Sequence, residues 1–220
     1  MNFKPLFHFL EELKRNNSRD WFKSNKSIYE RDVKKPFEDL IQDILLQIGK
    51  MDKDFSDLEV KNCIFRIHRD VRFSKNKDPY KVYMSALITP FGKKGMSDKG
   101  FYFEMGVENI RFYAGMYQPS KEEVYNIREA IGNELNTFKK LYTDTTFIKT
   151  FQEIRGEKNK RITPEFKDQS DKEPLLFNKQ WYIFKDFSRE ETNQSQFVST
   201  LLETYRISLP FQNFLQTNRL

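Results

Sequence analysis

One cysteine and two histidines are all that this chain of 220 residues offers to thiol or imidazole chemistry. A single Cys63 excludes an internal disulfide framework and fits a reducing, cytoplasmic setting. With only His8 and His68, a multi-histidine metal site is out of reach, and neither metal nor cofactor is expected. Gly and Pro number eight each and are scattered. They mark no linker and no repeat, and no glycine spacing matches a P-loop or a dinucleotide fingerprint. No apolar run approaches the roughly 18 residues of a membrane span. The opening Met1-Asn2-Phe3-Lys4-Pro5 reaches Glu11-Glu12 without the apolar stretch of a signal peptide. The expectation is a cytoplasmic, globular protein with no membrane partner.

What is present is aromatic and locally basic. The chain has 22 Phe, 10 Tyr and 2 Trp, enough to build a large core. The formal net charge is +6. Most of it falls in one window, where Lys61, Arg66, Arg69, Arg72, Lys75, Lys77 and Lys81 face only Asp70 and Asp78. A basic coat over a whole domain would point to non-specific polyanion binding. One basic cluster in a near-neutral background points to a site for a discrete anionic group.

The N-terminal third reads helical, with Leu6, Phe9, Leu10 and Leu13 at helical spacing. Ser18 caps a short helix carrying Trp21 and Phe22, which are read as core or groove lining. A long apolar stripe runs from Ile28 to Ile48, interrupted at Pro36 and closed by Gly49. The middle third reads as strands over 62–68, 82–88, 101–105 and 110–117, the last two as a hairpin. Tyr102, Tyr113 and Tyr117 form a candidate sheet-face cluster. Ser120 with Glu123 makes a capping box, and Asp144 caps a further helix. Residues 155–179 read as a long polar excursion before a last strand over 181–184. A helix over 197–205 follows, and Pro210 opens a final short one. Helices, then strands, then helices is an α+β order. The reading is a single domain over 1–220, an antiparallel sheet with N- and C-terminal helices packed on it.

Catalytic signatures are sparse. The pairs Glu11-Glu12, Glu122-Glu123 and Glu190-Glu191 sit on helices, where adjacent side chains diverge. Cys63 and His68 are five apart, which in a strand puts them on opposite faces. Cys63 is therefore read as a small buried hydrophobe.

The sharp feature is the run from Phe65 to Lys81. A strand over 62–68 places Arg66 and His68 on one face and Phe65 and Ile67 in the core. Arg supplies a planar fork for carboxylate or phosphate, and Lys a mobile point charge. The Asp78-Pro79 turn returns Tyr80 and Lys81 toward the arginines. Arg69, Arg72, Lys77 and Lys81 are expected to converge in one pocket. The candidate ligand residues are Arg66, Arg69, Arg72, Lys77, Tyr80 and Lys81, with Asp70 orienting an arginine. The plainer reading is a loop tied by an Asp70–Arg pair, with His68 a partly buried structural residue.

The stretch Ile64–Lys81 strongly resembles the hallmark of a widespread bacterial and fungal family of conserved hypothetical proteins. That family is catalogued as a domain of unknown function, number twenty-four sixty-one. Other pieces match in order: Asn16-Asn17-Ser18-Arg19-Asp20-Trp21-Phe22, Gly100-Phe101-Tyr102-Phe103 and Ala114-Gly115-Met116-Tyr117-Gln118-Pro119. Where the family typically carries a Gly-Gly-Gly-like segment, this chain has Tyr113-Ala114-Gly115. The resemblance implies one domain and no established activity, and it carries over no catalytic residue.

Three functional classes follow. The first is a protein binding a small phosphate- or carboxylate-bearing ligand in an Arg/Lys-rich pocket. The second is an enzyme of phosphoryl or phosphodiester chemistry in that pocket, with Asp70 or His68 as acid or base. The third is a nucleic-acid-binding module, widened by Lys93, Lys94, Lys99 and 158–161. A concave site favours the first two, and a continuous basic stripe the third.

Overall fold

The computed structural model describes residues 2–95 and 98–219. Helices α1 (Lys4–Arg15), α2 (Arg19–Ser24), α3 (Lys26–Tyr29), α4 (Lys35–Met51) and α5 (Val60–Cys63) come first. Strands β1 (Tyr83–Ile88), β2 (Phe101–Gly106) and β3 (Ile110–Met116) follow. Then come α6 (Lys121–Asn133), α7 (Leu135–Thr143), α8 (Thr145–Phe151) and α9 (Lys167–Ser170). Strand β4 (Trp181–Asp186), α10 (Arg189–Thr192) and α11 (Phe197–Thr217) complete the chain. The strands form one antiparallel sheet in the order β1-β2-β3-β4. The fold is α+β, in keeping with the order of elements in the sequence.

The chain divides into two compact units. The first comprises Met1–Lys94, Tyr102–Phe112 and Asp186–Leu202. The second comprises Gly95–Phe101, Tyr113–Lys185 and Glu203–Leu220. In the first, Leu6, Leu10 and Leu13 of α1 and Phe37, Ile41, Ile44 and Ile48 of α4 are buried. Phe37 stacks on Phe103 of β2, with centroids 6.4 Å apart. Each such ring contributes about 1.5–3 kcal/mol by leaving water. In the second, Phe138, Phe147, Phe211 and Phe214 interlock, with Phe138 and Phe214 at 5.1 Å.

The capping signals read from sequence are in place. Ser18 accepts from the Trp21 N–H, Asp144 accepts from Thr146 and Phe147, and Ser120 with Glu123 closes a capping box. Pro36 stands in the first turn of α4, directly after a π-helical turn over Glu30–Lys34, so the helical path loosens where the proline interrupts it.

Four expectations are corrected. Residues 62–68 are no strand: Val60–Cys63 is helical, and only Ile64 and His68 make isolated bridges. Phe65 is half-buried, not in the core. Gly49 lies inside α4, which ends at Met51, and the Asp52 side chain accepts from the Asp54 N–H and starts the next turn. Pro210 lies within α11 and does not begin a new helix. There Ser208 Oγ donates to the Tyr205 carbonyl and accepts from Gln212 Nε2, so polar side chains serve the backbone near the missing N–H. The excursion 155–179 holds two 3-10 turns, α9 and the bridges Arg155↔Tyr182 and Lys158↔Asn178. Pieces that short show no periodicity in sequence.

Candidate functional site

Downstream of α5 the chain runs antiparallel to the start of β1 without forming a regular ladder. The Phe65 N–H donates to Ser85 O, the Lys81 N–H to Ile67 O and the Arg69 N–H to Pro79 O. These bonds fix both ends of a loop over 69–79. Inside the loop, Arg72 grips Asp70 bidentately, Nε to Oδ1 at 3.0 Å and Nη2 to Oδ2 at 2.7 Å. Lys77 Nζ donates to the Val71 carbonyl at 3.0 Å. The Asp78 N–H donates to Asn76 Oδ1 at 2.8 Å, an Asx turn that prepares Pro79. The sequence-level idea of a return at Asp78-Pro79 is thus realised.

Beside this loop the first unit has an open cleft of about 430 Å³. Arg69, Asp70, Asn76 and Asp78 form one wall, and Lys14 and Glu108 are also in its lining. Tyr80, Lys81 and Tyr83 line it as well, beside Asn17. Tyr80 is held rigidly. Its ring stacks on Phe22 at 4.1 Å and 15°. Its backbone is clasped by the Asn17 carboxamide, whose Nδ2 donates to Tyr80 O and whose Oδ1 accepts from Tyr80 N. Asn17 thereby imitates a strand neighbour for a residue at the end of the ribbon.

Three cations and three carboxylates line the cleft. They are not equally available. Lys14 pairs with Glu108 at 2.8 Å. Asp70 belongs to Arg72, whose guanidinium holds the Asp70 carboxyl below the usual range. Among the described residues the Arg69 guanidinium donates to the Ser74 hydroxyl, at 3.4 Å, and to no carboxylate. Lys81 makes no ion pair among the described residues. Its ammonium lies 5.5 Å from the Phe65 ring centre and 5.6 Å from that of Tyr83. Burial lowers the Lys81 pKa, aided by the like charge of Arg66 and opposed by Glu104. Glu104 is pushed up by burial in turn, while the Tyr102 hydroxyl donates to it at 3.3 Å.

Of the sequence candidates, Arg69, Asp70, Tyr80 and Lys81 line the cleft. Arg66, Arg72 and Lys77 are exposed on the loop or its stem, outside that lining. His68 is exposed, not partly buried, with its ring 5.0 Å from that of Tyr80. Sequence reasoning missed Lys14, Asn17 and Glu108. Asn17 had a signal, the helix-breaking Asn16-Asn17-Ser18. The Lys14–Glu108 pair joins residues far apart in the chain and had none. Tyr102 lies on the half-exposed face of β2 against Phe65, at 6.1 Å. In the second unit Tyr113 meets Phe184 at 5.8 Å, and Tyr117 is exposed beyond β3. Among the described residues no three His, Cys, Asp or Glu side chains gather to hold a metal ion. No described helix is long and apolar enough to cross a membrane.

No curated protein and no solved structure matches the chain. One family model does, described as conserved hypothetical protein (DUF2461), and it matches residues 5–214. That span holds Lys14 and Asn17 as well as the whole of the basic loop, so the chain belongs to the DUF2461 family of conserved hypothetical proteins.

Proposed function

We propose that the cleft binds a small phosphate- or carboxylate-bearing molecule gripped by Arg69 and Lys81. The observation that carries this reading is selective pairing. Asp70 and Glu108 are each taken by another cation, while Arg69 and Lys81 line the same cleft with no carboxylate in ion-pair range among the described residues. Arg69 supplies a planar fork and Lys81 a point charge in a half-buried, ring-lined position, where an anion gains more than it would in open water. In this reading the Tyr80 hydroxyl donates to the anion from a ring stacked on Phe22. Arg66, Arg72 and Lys77 raise the local potential and steer the anion inward.

In this reading Asp70 is a positioning residue for Arg72 and the loop. We retain residues 1–220 as one domain, on the single sheet to which all four strands belong. We also retain the cytoplasm as the location, since the one cysteine is free.

The test is thermal unfolding with inorganic phosphate at constant ionic strength. Wild type should gain stability with phosphate as a ligand-binding native state does. The double variant Arg69→Gln, Lys81→Gln should gain none. Equal gains in both proteins would remove the cleft from consideration.

A further inference from the structure

We propose that, against the expectation of no membrane partner drawn from the sequence, the loop over 69–79 docks this protein on the surface of an anionic phospholipid membrane, with Phe73 entering the boundary between headgroups and acyl chains. Phe73 is 95% exposed, the highest exposure among the large apolar side chains described. Its exposure is built in. The Asp70–Arg72 clamp, the Ser74 N–H to Val71 O bond, the Lys77 bond to Val71 O and the Asn76 turn tie the backbone on both sides of it. The Arg72 guanidinium lies 5.8 Å from the centre of the ring. A ring held out by a preformed loop keeps its whole burial energy for a partner, and little ordering remains to be done on binding.

The surroundings name the chemistry of that partner. Arg72, Lys75 and Lys77 are exposed within four residues of Phe73 in the chain, and Arg66 is exposed on the stem of the loop. Asp70 is engaged by Arg72, which leaves Asp78 as the other acid of the loop. The fitting surface is apolar just beneath a layer of negative charge, as at an anionic lipid interface. A nucleic acid also offers anions and flat apolar groups. A strand that tracks a protein, however, stacks on successive rings. Phe73 is the one exposed large aromatic described between 64 and 81. A lone ring at a loop tip fits a broad surface better than a threaded strand. The loop lies on the membrane and does not span it. One aromatic with a few charges gives weak, reversible attachment.

This inference does not rest on the cleft reading. The phosphate response there depends on Arg69 and Lys81, whereas docking depends on Phe73, so either can fail alone. The experiment is sedimentation of the full chain with vesicles of phosphatidylcholine, with and without phosphatidylglycerol, at low and high salt. Binding is expected only to the mixed vesicles and should fall with salt. Phe73→Ala should weaken it about ten- to hundredfold, as loss of one buried aromatic implies. Lys75→Gln with Lys77→Gln should weaken it about fivefold per charge. Phe73→Trp should keep binding and shift its emission to the blue on mixed vesicles. Because Phe73 is so exposed, both Phe73 variants should unfold at the wild-type temperature. No binding to mixed vesicles, equal binding to neutral ones, or wild-type binding by Phe73→Ala overturns the proposal. So does tighter, Phe73-dependent binding to a single-stranded oligonucleotide, which makes the loop a nucleic-acid element.

Discussion

The Asn17 carboxamide holds Tyr80 by both of its backbone groups, at 3.0 Å to the carbonyl and 3.1 Å from the N–H, across 63 residues of chain. The pair joins the turn after α1 to the edge of the cleft. Tyr80 cannot move without either breaking this clasp or leaving the face of Phe22.

The first prediction follows. Asn17→Ala leaves a backbone donor and acceptor of Tyr80 without partners in a partly buried place. Such a loss costs about 1–3 kcal/mol per group, less where water can enter. Chemical denaturation should show that destabilisation, and the phosphate response should shrink with it. Asn17→Asp keeps the acceptor but lacks the donor, and should fall between the two. A wild-type midpoint for Asn17→Ala would show that the clasp is ornamental.

The second concerns Glu104 and pH. Burial raises its folded-state pKa above the ordinary glutamate value. A carboxyl shifted upward binds its proton more tightly in the folded state. Its contribution is therefore full below the unfolded pKa and is lost as pH rises through the folded pKa. Glu104→Gln removes that loss. The variant should match wild type in acid and exceed it at neutral pH, in a pH series of thermal unfolding. The substitution also removes the charge that opposes the lowering of the Lys81 pKa, so Lys81 should titrate lower still. A variant less stable than wild type at neutral pH would mean that the Glu104–Lys81 attraction outweighs the desolvation of the carboxylate.

How far the sequence reveals such features depends on range. Local signals were legible. Ser18, Ser120 and Asp144 announced helix starts because each cap is satisfied within three residues of itself. The hairpin β2–β3 was legible from alternation in Phe101, Phe103 and Met105. The stretch 62–68 misled because alternating apolar residues suit a ribbon with two isolated bridges as well as a strand. In the site, the basic run was visible, but its pairing was not. Arg72 takes Asp70 and leaves Arg69 with no carboxylate among the described residues, and nothing in the order of charges decides between them. Lys14 and Glu108 meet only through tertiary folding.

The third prediction addresses Cys63. The thiol is buried, donates to the Glu59 carbonyl at 3.5 Å, and is pushed up to about 12 by burial. The thiolate is the reactive form. A chromogenic disulfide reagent at neutral pH should leave the native protein untouched and react at once in denaturant. Rapid native labelling would contradict this burial.

The fourth concerns Gly115, the one glycine of the Tyr113-Ala114-Gly115 segment. Its φ is +119°, a conformation that L side chains rarely adopt. A Cβ there would lie 2.4 Å from Trp181 O and 2.8 Å from Tyr182 Cα in β4. Close backbone approach is thus kept by this one glycine. Gly115→Ala should destabilise by about 1–3 kcal/mol from strain, plus whatever displacement of β4 the contact forces. An unchanged unfolding midpoint would argue against this register of β3 and β4.

The last prediction separates a binding site from a scaffold, and it turns on Asp70. If Asp70 served mainly to tie the loop, Asp70→Asn would cost stability, and so would Arg69→Gln with Arg72→Gln. The geometry argues otherwise. The Asp70 and Arg72 side chains are 47% and 76% exposed, so water screens their attraction. Asp70→Asn should leave the unfolding temperature near that of wild type. It also releases the Arg72 guanidinium and removes a negative charge from the cleft wall. Phosphate should then stabilise Asp70→Asn more than it stabilises wild type, at the same ionic strength. Neutralising Arg69 and Arg72 together removes one cation from the cleft and one from the exposed, water-screened pair beside it. That double variant should be as stable as wild type or more so, and phosphate should no longer raise it. The measurement is one thermal series across the three proteins, with and without phosphate. Loss of several degrees in both variants, with equal phosphate shifts in all three, would make the cluster a structural tie and refute the anion-binding reading of the cleft.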